Sequence, residues 1–409
     1  MKKLIQKILA VCFILTLVSC VEPYALQTNT FEDYLVVEAT ITNELKQQEV
    51  KLSRTYKLEQ GAPTLVQGAT VQVKDNQGND YSFTEIGGRY LSNATFKAQP
   101  GVSYQLKITT SSGRKYSSNM ETLTTENPIQ SLTPEVVTRS DGKVGVEMTV
   151  KAFDPTNSSK YYRYEFEETY KIIAPLWKGV QPDYFPPQAS PSGYIVELIP
   201  IPYEARICYS TKKADKIILH NTNNLSEDRV NFSVLFVDKS DFKITNRYSI
   251  IIKQYVQNLA SYTYYKTLNE ISTSGSILTQ NQPGFVYGNL SCESNSDEKV
   301  IGYFEVSSTS SKRIFFNYNE VFPNSELPVN PFKCVRKTDD GKNPNQNYIT
   351  FKFGQPPCDD CGGPRLVAGF NAREISYFDN IGLRYEIYPI QCGDCTSFSS
   401  NIRPTFWID

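Results

Sequence analysis

The chain has 409 residues, a formal net charge of −1, and 27 Tyr and 22 Phe against only 3 Met. Its 42 basic and 43 acidic residues are interspersed, with no basic stripe for nucleic acid and no long charge run of the kind that marks disorder. A single histidine, His220, leaves little room for His-dependent nucleophilic chemistry.

Lys2, Lys3 and Lys7 form a charged start, and residues 8–18 are apolar. That run is too short to span a bilayer, which takes about 20 residues. It ends in Leu17-Val18-Ser19-Cys20, a secretory signal with small residues before the cut. The cysteine at the first mature position resembles the bacterial lipobox, whose thiol is acylated. Residues 1–19 therefore read as a lipoprotein signal peptide and 20–30 as a tether. Cys20 is the expected lipid anchor that holds the mature chain on a membrane; the plainer reading is an ordinary signal with a chance cysteine. No later stretch is long and apolar enough to span.

From 31 to 127 short alternating runs follow one another. Leu35, Val37, Ala39 and Ile41 share one face of the first, and Val102, Tyr104, Leu106 and Ile108 one face of the best. Asp75-Asn76-Gln77-Gly78, Gly87-Gly88 and Gln99-Pro100-Gly101 punctuate them. About seven strands at this spacing predict an Ig-like β-sandwich, although no Cys…Trp…Cys pattern accompanies them. Asn127-Pro128 is the expected boundary to a larger β-rich domain, 128–409.

In that domain the segment 175–202 carries seven prolines together with Trp177, Tyr184, Phe185 and Tyr194. Proline lacks the N–H a central ladder needs, so the segment reads as an extended insertion. Its aromatics are candidate ligand or partner contacts; the alternative is that they fold back onto the core. The stretch 249–317 centres the domain. Tyr255, Leu259, Tyr262 and Tyr265 recur at helical spacing, with Leu268 and Ile271 beside them. Asn258 is placed to cap the start of this helix and Gly275 to end it. Strands are expected before it at 250–252 and after it at 300–307 and 313–317. The fold class is thus mainly β, with an N-terminal Ig-like β-sandwich, then a larger β-rich domain with one central helix.

Seven cysteines follow Cys20: Cys208, Cys292, Cys334, Cys358, Cys361, Cys392 and Cys395. In an exported chain they are disulfide candidates, giving three bridges and one left over. The spacing of Cys358/Cys361 and Cys392/Cys395 also suits a four-thiolate zinc site, the less favoured reading outside the cytoplasm. No metal or cofactor is expected. Two-carboxylate hydrolysis would draw on Glu165, Glu167 and Glu168, although glutamates on strands usually face solvent. His220, in a strand-like run, reads as structural.

Several marks in order resemble one family: Cys20-Val21-Glu22-Pro23, Leu35-Val36-Val37-Glu38, Ile207-Cys208-Tyr209, Tyr262-Thr263-Tyr264-Tyr265, Pro283 to Asn289, Val300 to Phe304, and Cys392-Gly393-Asp394-Cys395 with Pro404 to Trp407. They are similar to the Bacteroidota lipoproteins grouped as domain of unknown function 4249. The Cys358/Cys361 pair and the missing Gly-Gly after Cys395 depart from that pattern. The resemblance implies a non-enzymatic outer-membrane lipoprotein, accessory to a TonB-dependent transporter in capture or uptake of a ligand. A cell-surface hydrolase and an adhesin or structural stalk are the alternatives.

Overall fold

The computed structural model describes residues 33–56, 61–185, 195–273, 286–334, 347–350, 369–381 and 384–409. The signal peptide, Cys20 and the tether lie outside them, as do Tyr194, Gly275, Cys358 and Cys361.

The first strands are β1 (Leu35–Thr42), β2 (Glu49–Arg54), β3 (Thr64–Leu65), β4 (Thr70–Asp75), β5 (Asp80–Ile86), β6 (Arg89–Ser92), β7 (Ser103–Thr109), β8 (Lys115–Ser118) and β9 (Glu121–Thr122). Alternation dictates their faces: Leu35, Val37, Ala39 and Ile41 of β1, and Tyr104, Leu106 and Ile108 of β7, all point into one core. Next come β10 (Ser131–Thr138), β11 (Val144–Asp154), β12 (Tyr161–Ile173), β13 (Val180–Phe185), β14 (Ile195–Pro200), β15 (Ile207–Lys213), β16 (Ile218–Asn221), β17 (Asp228–Asp238) and β18 (Arg247–Gln257). Helix α1 (Leu259–Thr273), β19 (Leu290–Cys292), β20 (Val300–Asn317) and the short α2 (Tyr318–Val321) follow. The C-terminal elements are β21 (Asn347–Thr350), β22 (Ile375–Ile381), β23 (Arg384–Pro389) and α3 (Ile390–Gly393). The described chain is mainly β.

One sheet of 15 strands runs through both halves in the order β15-β12-β18-β20-β1-β2-β6-β5-β4-β7-β8-β19, with β16, β3 and β9 as side branches. The strand that joins the halves is β20. Its first part lies parallel to β1, ending at Thr42↔Ser307. Its second part is antiparallel to β18 from Val256↔Ser308 onward. The two strands expected at 300–307 and 313–317 are therefore one, because the residues between them keep pairing with β18. A glycine makes the parallel contact possible. Gly302 has φ +141°, and a Cβ there would lie 2.1 Å from the Val37 carbonyl oxygen.

Two bodies share this sheet. In the first, β1–β8 close over a core of aliphatic side chains with Tyr90, Tyr104 and Tyr116 among them, which β19 and β20 complete with Cys292, Val300, Phe304 and Val306. Residues from beyond position 285 thus finish a core begun at residue 35. In the second, the three-stranded sheet β10-β11-β17 packs on β12, β18 and the far part of β20 around Val146, Met148, Tyr162, Tyr164, Tyr248 and Phe316. Asn127, the expected boundary, is a bonded seam. It is buried, donates to the Tyr162 hydroxyl (2.8 Å) and accepts from Gln254 Nε2 (2.7 Å).

Helix α1 starts as its sequence predicts: Asn258 Oδ1 accepts from the Ser261 N–H at 2.8 Å. Its buried face differs from the expected stripe. Ser261, Tyr264, Tyr265 and Leu268 turn inward or sit half-buried, whereas Leu259 is 58% exposed. Ser261 donates to the buried Glu305 carboxylate (3.0 Å), and that bond fixes which side of the helix faces the sheet.

Candidate functional site

On β12 the side chains alternate across the sheet. Tyr162, Tyr164 and Phe166 face the second core, while Arg163, Glu165 and Glu167 line a groove where the two bodies meet. The groove consists of two adjoining cavities of about 710 and 650 Å³. Both are bordered by Lys51, Arg163, Glu165, Ile217 and Tyr265. One wall comes from β1 and β2 of the first body, the other from β12, β18 and α1 of the second.

Arg163 anchors the floor. Its side chain is 9% exposed and its Nη2 donates to Glu305 (3.1 Å), itself 2% exposed. Glu305 also accepts from Gln257 Nε2 (2.9 Å), Ser261 and Ser307. The guanidinium lies between two rings, 4.0 Å from that of Tyr255 and 4.7 Å from that of Tyr265, a geometry suited to a planar cation. Burial works against its charge, but Glu305, Tyr265 and Glu165 outweigh burial and keep it firmly protonated. Within this network Arg163 Nε and Gln257 Oε1 are buried without a hydrogen-bond partner, each at a cost of about 1–3 kcal/mol.

The upper rim is ionic. Arg163 Nη1 donates to Glu165 Oε1, and the Tyr255 hydroxyl donates to Glu165 Oε2 at 2.9 Å. Desolvation in the groove wall raises the Glu165 pKa, but Arg163 and Tyr255 override it, and the carboxyl sits below its ordinary value. Lys253 meets Glu44 of the first body at 2.6 Å. Burial holds the Lys253 ammonium below its usual pKa despite that partner.

The sequence-predicted residues fall elsewhere. The segment 175–202 forms a hairpin, β13 with β14, as a separate two-stranded sheet. Its base is built into the core, the alternative reading for Trp177. Leu176 packs with Cys334, Phe378, Tyr388 and Cys392. Trp177 is half-buried against Ile172, Ala174, Cys208 and Cys395. Tyr184 and Phe185 lie on β13, their side chains outside the described residues along with Tyr194. Glu168 faces inward, bonded to Lys243 Nζ (3.0 Å) and the Tyr248 hydroxyl (2.7 Å), and Glu167 faces Arg313 at 3.8 Å. His220 stacks on Phe232 with ring centroids 4.5 Å apart.

The cysteines split their motif. Cys395 bonds Cys208 and Cys392 bonds Cys334, closing separations of 187 and 58 residues. Two thiols of the alternative zinc quartet are thus already in bridges, while Cys292 is free and buried. Together the bridges clamp the base of the hairpin: the Leu176 N–H donates to Cys392 O (2.9 Å) and the Cys395 N–H to Ala205 O (2.9 Å).

Sequence reasoning missed the groove. Its signals were the alternation of charge along Arg163, Glu165 and Glu167 and the tyrosine pair Tyr264-Tyr265, and neither reveals a partner.

Residues 21–313 match the family described as "Domain of unknown function (DUF4249)". No curated protein matches the chain at a significant level. Among solved structures, a DUF4785 family protein from Legionella pneumophila subsp. pneumophila str. Philadelphia 1 aligns at 8% identity and a TM-score of 0.15, over 53% of this chain and 51% of that one. The alignment spans about half the length of that protein.

Proposed function

The chain belongs to the family described as Domain of unknown function (DUF4249), and from that premise we propose that it is a non-enzymatic, membrane-anchored binding protein. In this reading it holds a ligand or a partner's segment in the groove between its two bodies. It does so as an accessory to an outer-membrane TonB-dependent transporter, the setting the family resemblance implies. One observation carries the binding role: a groove walled by both bodies, which one strand, β20, locks together. Sites between such units are where ligands most often bind.

Two further points support the reading. The lipobox-like Leu17-Val18-Ser19-Cys20 precedes β1 by only a short tether, so an anchor would act directly on a strand of the groove wall. The carboxylates suited in type to hydrolysis are also engaged. A general acid needs a raised pKa, whereas Glu165 is held low by Arg163 and Tyr255 against desolvation, and Glu168 is committed to Lys243 and Tyr248.

The test is a pulldown from solubilised membranes with the wild-type chain and with Ile217→Trp, which fills the zone bordering both cavities. Wild type should recover a stoichiometric β-barrel protein, and the variant, with unchanged Tm, less than about a tenth as much. Equal recovery would remove the groove from the interaction. Absence of any barrel would remove the transporter role. Turnover of glycans or peptides that Glu165→Gln abolishes would move the chain to the hydrolases.

A further inference from the structure

Glu165 occupies an unusual position. Its side chain is 52% exposed, yet each carboxylate oxygen is held by a donor from the interior. Arg163, 9% exposed, holds Oε1, and the buried Tyr255 hydroxyl holds Oε2 at 2.9 Å. In an ordinary surface pair both members are loose. Here the cationic side is rigid and only the carboxylate can move.

We propose that this slot is a carboxylate-binding site, and that Glu165 fills it in the free protein in place of a ligand's carboxylate. The donors do not depend on Glu165 for their placement. Glu305 fixes Arg163 from beneath at 3.1 Å, and the rings of Tyr255 and Tyr265 flank it. One N–H and one O–H converge on the two oxygens of a single planar group, and guanidinium recognition of carboxylates favours that planar geometry. Lys253, paired with Glu44, stands directly across the ladder from Glu165. Glu165 also borders both cavities. Its departure would open space at the edge shared by both cavities, beside the anion site.

The intramolecular carboxylate competes at high effective concentration. The wild-type chain therefore binds a carboxylate weakly, and removing the competitor strengthens binding. This inference rests on the groove being the binding surface. The source of the carboxylate is either a free organic acid or an acidic peptide, and the probes separate the two.

The experiment is calorimetric titration of the purified full-length chain in detergent, at low salt, with glutarate and separately with an N-acetylated tetraglutamate peptide. Glu165→Ala should bind at least one probe about tenfold more tightly than wild type. Adding Tyr255→Phe or Arg163→Lys should cancel the gain. A gain with both probes means that a free dicarboxylate suffices; a gain with the peptide alone assigns the site to an acidic segment. Glu165→Gln, which keeps the side chain's shape, should show a smaller gain and serves if the alanine variant does not fold. No gain with either probe in a folded variant overturns the proposal. In that case barrel recovery that remains sensitive to Ile217→Trp leaves the groove reading standing. A gain in carboxylate affinity with barrel recovery insensitive to Ile217→Trp leaves the carboxylate site standing and removes the groove from the barrel interaction instead.

Discussion

The two bodies differ in what their buried tyrosines bond. In the first, Leu35, Ile41, Val50, Leu52, Val73 and Leu106 are each 0% exposed, and an aliphatic contact asks for no particular partner. Both bodies also bury tyrosines. In the first, Tyr90 donates to Val66 O (2.7 Å) and Tyr104 accepts from the Gln99 N–H (3.0 Å), both backbone partners; in the second, three core hydroxyls donate to side chains. Tyr162 bonds Asp228 (2.7 Å), Tyr164 bonds Gln254 (2.9 Å) and Tyr248 bonds Glu168 (2.7 Å). Buried polar networks are directional, and leaving one member unpaired is costly. The lesson is one of position. On the opposite face of β12 a second directional network, Gln257, Glu305 and Arg163, forms the groove floor, so the charged groups presented there are held rigidly.

The contrast can be broken most severely at the junction. Gly302→Ala places a Cβ against Val37 O where β1 and β20 run parallel. With strain and overlap together it should cost more than about 3 kcal/mol in urea denaturation. A loss below about 1 kcal/mol would show that the close approach is not needed. Next comes a matched pair, one from each body. Leu52→Ala should cost about 2–5 kcal/mol through the cavity it leaves. Tyr248→Phe, which leaves Glu168 with Lys243 as its partner, should cost about 1–3 kcal/mol. If Tyr248→Phe proves the costlier, the second body rests on its polar network more than on its packing.

The smallest effect concerns a feature the bodies share. Asp75 and Asp154 each organise a turn by accepting several bonds. For both, burial acts to raise the pKa and is outweighed: by the Asn79 side chain and the Asn79 and Gln77 N–H groups at Asp75, and by Thr156 and Ser159 at Asp154. Both folded values therefore lie below the unfolded value of about 3.9. The stability they contribute is fully present above that pH and is lost as pH falls through the folded pKa. Asp75→Asn and Asp154→Asn should each cost about 1 kcal/mol at neutral pH and flatten the acid limb of a stability–pH curve, Asp154→Asn the more because its carboxyl is shifted further. Equal flattening would show that the two turns hold their carboxylates alike.

What could be read before any fold was known is what neighbouring residues carry. The inward set of β1 and β7, the Asn258 cap of α1, the mainly β class and the ordered family marks all lie within short windows, because side-chain period and capping are local. Partner choice is different. Alternation tells a strand which face to bury but not whose edge to join, so β20 read as two strands rather than as the one that binds both bodies. The two cysteines of Cys392-Gly393-Asp394-Cys395 take separate partners 58 and 187 residues away, and loop closure over such lengths leaves no local trace. Arg163 meets Glu305 across 142 residues. Charge on a strand looks the same in sequence whether it faces water or a buried counter-charge, and the pairing that distinguishes them exists only once the two bodies have closed on each other.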